Sequence, residues 1–154
     1  MPDDGRLSRR PDMNLPMLLT DNITELLLKI IEFTQARQKI LIQNINDMHA
    51  GVFVPRDLPV DEFSKLMVQA LNEHAHSRRL LLQDGQNVKF GTAGSFKTTP
   101  IIDEQAKRLF EQDRDEYLRV QISKLLENSL NQRIATEMLK QRQADEQCLG
   151  RCLN

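Results

Sequence analysis

Five side chains offer soft or nitrogen donors for metal binding or nucleophilic chemistry: His49, His74, His76, Cys148 and Cys152. His49 stands alone near a glycine, and His74 and His76 are two apart on a stretch with helical periodicity, so their rings leave the helix in different directions. Cys148 and Cys152 fall around Gly150 in the last seven residues, too late to staple a core and too few for a tetrahedral metal site. They read as thiols at a fraying end, with a local or intersubunit disulfide as the alternative. The chain has no glycine-rich phosphate loop, nucleophile elbow or HExxH, and DGQNV lacks the alternating oxygen ligands and closing Glu of a calcium loop. The charged run EQDRDEYLR, residues 111–119, places Asp115 four residues before Arg119, as on a solvated helix face or a charge-matched surface between subunits. These residues predict no catalytic site, no metal site and no cofactor, so the chain reads as something other than an enzyme.

The elements that carry them are helical. From Asn22 the chain reads NITELLLKIIEFTQARQKILIQNINDM, and Asn22 with Glu25 three residues later makes a capping box, which predicts a helix over 22–48. Ile23, Leu26, Ile30, Phe33, Ile40 and Asn44 follow steps of three and four, with Leu27, Thr34, Leu41, Ile45 and Met48 in an adjacent stripe. Two adjacent stripes favour a bundle. Residues 101–147 contain neither Gly nor Pro and predict one long helix, with Ile122, Leu126, Leu130, Ile134 and Met138 spaced by four. Such a rod of roughly 60 to 70 Å is too long for a compact domain of this size to enclose.

Between the rods, Pro59 suits a first helical turn, and Phe63, Leu66, Met67, Ala70 and Leu71 give a short helix over about 59–77. Residues 83–99 hold three of the six glycines and predict an irregular loop with a short strand near Val88 to Phe90. The expected fold is mainly α: two long terminal helices in a coiled coil or bundle, a short middle helix and a Gly-rich loop. Residues 1–21 read as a disordered segment, 22–147 as one elongated domain with a middle region over 49–100, and 148–154 as a tail; Met13 is an alternative start.

A net charge of −1 and a pI near 6.3 supply no basic field for nucleic acid or an anionic lipid surface. The polar start MPDDGRLSRRPDMNLP lacks the apolar block of a secretory signal.

One segment is more specific. RQKILIQNINDMHAGVFVPRDL, residues 37–58, resembles the N-terminal signature of bacterial flagellar basal-body rod proteins, most of all their B-type proximal rod branch. In that family a helix bearing Arg, Leu, Asn and Ile runs into a Thr-Pro-Gly-Tyr turn and then Arg-Asp. Here Arg37, Leu41, Asn44, Ile45, Arg56 and Asp57 stand at the matching spacing and Phe53 takes the aromatic place. Ala50, Gly51 and Val52 replace Thr, Pro and Gly, which leaves Gly51 to supply the permissive backbone of the turn. The second half agrees through Ile101 and Tyr117 and lacks the family's Asp-Gly-Asn.

The resemblance implies a structural rod subunit in the periplasm-spanning basal body, exported through the flagellar type III apparatus without a cleaved signal. Its implied partners are other rod and basal-body proteins, the export apparatus and further copies of itself. Ile30, Phe33, Leu41 and Ile45 with Leu126, Leu130 and Ile134 are then the expected assembly seam, and Asn44 is a polar register device within it or a cap at the helix end. A cytosolic helical adaptor or export chaperone, capturing an apolar face of a partner, is the rival reading.

Overall fold

The computed structural model describes residues 15–91 and 95–152. Helix α1 (Leu15–Asn46) leads through a 3-10 turn (Asp47–His49) to strand β1 (Arg56–Asp57) and helix α2 (Val60–Ser77). Strands β2 (Val88–Lys89), β3 (Lys97–Thr98) and β4 (Ile101–Ile102) follow, then helices α3 (Glu104–Gln112) and α4 (Arg114–Cys152). The chain is mainly helical, with two long helices packed together, as its patterning predicts.

Helix α1 starts earlier than the capping box at Asn22 implies. Pro16 lies in its first turn, where a missing N–H breaks no intrahelical bond, so the apolar run before Asn22 can join the helix. Asn22 is an interior residue whose Nδ2 lies 3.3 Å from the His74 Nδ1. The expected segment 1–21 therefore divides: 15–21 are helical, and 1–14 lie outside the described residues.

The single C-terminal rod is also interrupted, without Gly or Pro. The Asp103 side chain accepts from Ala106 N–H and starts α3, while Asp113 in an extended conformation ends it. The same Asp113 carboxylate accepts from the N–H groups of Asp115 and Glu116, at 3.0 Å each, and starts α4. An aspartate that satisfies orphan N–H groups makes the break favourable. Arg119 pairs with Glu116 rather than with Asp115. Ile101 and Ile102 precede the helices as a strand paired antiparallel with β1, and the expected tail is helical through Cys152.

Two clusters flank α1. Leu26 and Phe33 pack with Leu58, Phe63, Met67, Ala70, Val88 and Phe90, joining α1 to α2 and the β2–β3 hairpin. Phe33 and Phe63 stack with centroids 4.0 Å apart. Glu62 ties this hairpin to α2 by accepting from Asn87 N–H, Asn87 Nδ2 and Val88 N–H. At the other end Met48, Ala106 and Tyr117 form a smaller core, edged by Phe53 and Phe110. Phe53 meets Phe110 and Tyr117 edge to face, at 5.3 and 6.4 Å.

Candidate assembly interface

Helices α1 and α4 run antiparallel, since Asn44 bonds Gln121 while Thr34, nearly three turns back along α1, bonds Asn128 further along α4. The buried face of α4 is Tyr117, Gln121, Asn128 and Ala135, with half-buried Lys124 beside it. Intervals of seven from Gln121 through Asn128 to Ala135 keep these three on one line facing α1. On α1 the buried line is Leu27, Thr34 and Leu41, continued by Met48 in the 3-10 turn, again at intervals of seven. The seam between the long helices is thus narrow, and polar on the α4 side.

At its centre Arg37 Nε and Nη2 donate to the two oxygens of Asp57 at 2.8 and 2.9 Å. Leu58 N–H donates to the same carboxylate, and Lys124 Nζ bridges Asp57 to Asp103. Burial works against both charges of the ion pair. For Asp57 the hydrogen bond and charge of Arg37, with Lys124 and the Leu58 N–H, more than offset it and hold the carboxyl below the usual range. For Arg37 the hydrogen bond and field of Asp57 outweigh burial and hold the guanidinium's pKa above its ordinary value. The pair lies at one edge of a shallow cleft of about 630 Å³ that also exposes Lys65, Asp61 and Glu104.

Two turns along α1, the Asn44 side chain treats Arg56 as a neighbouring strand would: Nδ2 donates to Arg56 O at 2.7 Å and Oδ1 accepts from Arg56 N at 3.2 Å. Nδ2 also reaches Gln121 Oε1, and the Asn44 carbonyl accepts from the Tyr117 hydroxyl. Burial, then the charge of Asp103, pushes the Tyr117 phenol up, so it stays a neutral donor. Asn44 therefore ties α1 to β1 and α4 together, and it does not cap the helix end, which a 3-10 turn finishes instead.

Arg37, Asn44, Arg56 and Asp57 come together in this junction, and Phe53 closes its aromatic end. Leu41 is fully buried, and Ile30 and Ile45 are half-buried. Phe33 is buried against α2 rather than against α4.

Two expectations change, and three residues of the junction were missed. Leu126, Leu130 and Ile134 are not buried in the α1–α4 seam: Leu126 and Leu130 are 66% and 57% exposed on the outside of α4, and Ile134, 49% exposed, borders the groove beside α1 and α2. The reason is the Tyr117–Gln121–Asn128 line, which occupies the inner face through hydrogen bonds that an apolar seam would leave unmade. Gly51 is exposed with open space where a Cβ would stand, and a positive φ occurs among the described residues only at Arg78 and Gly91. The turn is made by the 3-10 segment and an extended Ala50, so nothing there demands glycine. Finally, Gln121, Lys124 and Asn128 were legible as chemistry only once α1 was placed, since a polar residue on a helix reads as solvent-facing.

An apolar groove of about 410 Å³ runs where α1, α2 and α4 meet, lined by Leu27, Ile30, Val68, Ile134 and Met138 among others. His74 is buried and His76 exposed on α2, and no group of three or more His, Cys, Asp or Glu among the described residues is placed to hold a metal ion. No described helix is long and apolar enough to cross a membrane. No family model, curated protein or solved structure matches this chain.

Proposed function

We propose that the chain is a structural subunit of the proximal rod of the bacterial flagellar basal body, assembling through its terminal helices with rod proteins and with other copies. The observation that carries the reading is the convergence of Arg37, Asn44 and Asp57, residues of the rod-like block, on one buried junction between the terminal helices, which Arg56 joins through its backbone. An exposed apolar face on α4 gives such a subunit something to assemble with. In this reading function resides in interfaces, with no reacting group, and the chain passes through the type III exporter with its N-terminus intact. Deleting the gene and imaging basal bodies tests it: loss of the rod and of swimming is expected, and intact rods in swimming cells would refute it.

The apolar groove between α1, α2 and α4 favours a second reading, a helical adaptor or export chaperone whose partner lays an apolar helix there. Fractionation separates the two. A rod subunit co-purifies with detergent-washed basal bodies, whereas a chaperone is left in the cytosolic fraction.

A further inference from the structure

Along α4, Ile122, Leu126, Leu130, Ile134 and Met138 succeed one another at four-residue steps, all exposed, from 43% at Ile122 to 66% at Leu126, with Leu126 and Leu130 on the outer face and Ile134 and Met138 at the groove beside α1 and α2. Each step overshoots a full turn by about 40°. The side chains therefore form a ridge inclined to the helix axis by about 26°, not a stripe parallel to it. Such a ridge suits another ridge of the same kind, with the helices crossing at about 50°, and does not suit a coiled coil along the whole helix.

The charges beside the ridge indicate what covers it. Glu127 and Arg133 lie three residues before and after Leu130, each about 60° around the helix and on opposite flanks. Both are exposed and neither forms a hydrogen bond or ion pair with another described residue, although the Glu127 charge adds to the field that raises the Arg37 pKa. Their neighbours Arg119 and Lys140, by contrast, are paired within α4 to Glu116 and Glu137. A two-fold axis running along the ridge lays Leu130 of one copy near Leu130 of another. It also sets Glu127 of each copy beside Arg133 of the other, giving two opposite-charge contacts and no like-charge one. We propose that the outer ridge of α4 binds the same ridge of a second copy of this chain, as a two-fold dimer. Self-complementarity of this kind is what an isologous contact requires. The dimer is independent of the rod assignment, and would cover the ridge while the chain is outside any larger assembly.

Sedimentation velocity on the full chain over a concentration series tests the proposal, with far-UV circular dichroism as the check on folding. The wild-type chain is expected to dimerise. Glu127→Arg alone and Arg133→Glu alone should each weaken the dimer about tenfold or more by opposing like charges. The double variant should recover the affinity, and an equimolar mixture of the two single variants should form a mixed dimer. Leu130→Asp should give a monomer of unchanged helicity. A wild-type chain that stays monomeric throughout overturns the proposal, as do single variants that dimerise as well as wild type, or a double variant no tighter than the singles.

Discussion

The two faces of α4 reverse the usual arrangement. Its inner face, against α1, carries Tyr117, Gln121, Lys124 and Asn128, while Ile122, Leu126 and Leu130 are exposed away from it and the ridge ends with Ile134 and Met138 at the groove beside α1 and α2. A helix of a self-contained domain turns its apolar stripe inward. Here hydrogen bonds set the register of α1 on α4, since Asn44 with Gln121 and Thr34 with Asn128 are satisfied in one alignment only. Apolar burial of α1 comes also from α2 and the hairpin, where Phe33 stacks on Phe63. The inner seam thus specifies alignment, and the outer face is left free to adhere.

If that division is right, the largest losses of stability follow damage to the inner junction. Asp57→Ala strands the Arg37 guanidinium in a buried site and removes a partner of Lys124. Breaking a buried pair in this way costs about 3–5 kcal/mol, which urea denaturation followed by circular dichroism would register as a large drop in midpoint. A small drop would mean that Lys124 and solvent compensate, and that the pair is peripheral to the seam.

Asn44→Ala is the next largest. It deletes both bonds to Arg56 and the one to Gln121, leaving the Arg56 N–H and a buried Gln121 oxygen without partners. We expect a loss of about 1–3 kcal/mol, with hydrogen exchange at β1 accelerated more than at α2. Equal acceleration at both would show that Asn44 supports the whole fold and not the junction.

Acid probes the same junction with a definite sign. Asp57 is held below its ordinary pKa by Arg37 and Lys124 despite burial, so its contribution is complete above its unfolded value of about 4. That contribution fades as pH falls through the lower folded value. Glu62, held down against burial by the Asn87 and Val88 N–H groups, acts with the same sign. Wild-type stability should therefore decline as pH falls below about 4, and Asp57→Asn should flatten part of that decline. A parallel decline in both proteins would assign the acid response to other carboxylates.

How much of this was legible in the sequence follows the same division. The α1 stripes Leu27–Thr34–Leu41–Met48 and Leu26–Phe33 announce buried faces because their residue types and their burial agree. On α4 type and burial disagree, so periodicity identified a real ridge and assigned it to the wrong side. The break at Asp113 was hidden because Gly and Pro are the usual stop signals, whereas an aspartate acts through side-chain bonds to Asp115 and Glu116. Arg37, Asn44, Arg56 and Asp57 stood out only through the resemblance to the rod-protein signature, and their convergence needed the turn over 47–55 to return β1 alongside α1. The turn itself was misread at Gly51, where a glycine suggested a strain that the 3-10 segment avoids.

A smaller effect separates the polar groups that specify from those that merely fit. Gln121 is fully buried, and its Nε2 has no hydrogen-bond partner among the described residues. Its Oε1 accepts from Asn44 Nδ2, which retains Arg56 O if Gln121 is removed. Gln121→Leu exchanges one shared bond and one unsatisfied donor for apolar contact, so we expect a change within about 1 kcal/mol of zero. A loss as large as that of Asn44→Ala would make Gln121 a full member of the junction.

The smallest expected change in the folded monomer is also the one that weighs most on function. Leu130 is 57% exposed at the middle of the outer ridge, so an aspartate there keeps its water and meets no buried neighbour. Leu130→Asp should alter monomer stability by no more than about 0.5 kcal/mol, as surface substitutions do. Lys140→Asp, near the end of α4, loses only an exposed pair with Glu137 and should alter it as little. The two variants part company once neighbours are present. If the outer face adheres to another subunit, an aspartate at its centre must be desolvated on assembly, and Leu130→Asp should abolish swimming at wild-type protein levels while Lys140→Asp swims. A motility assay with matched expression decides between the faces: a swimming Leu130→Asp strain would mean that the apolar ridge is no assembly surface, and that any function of the chain must be sought at the inner junction or in the groove beside α2.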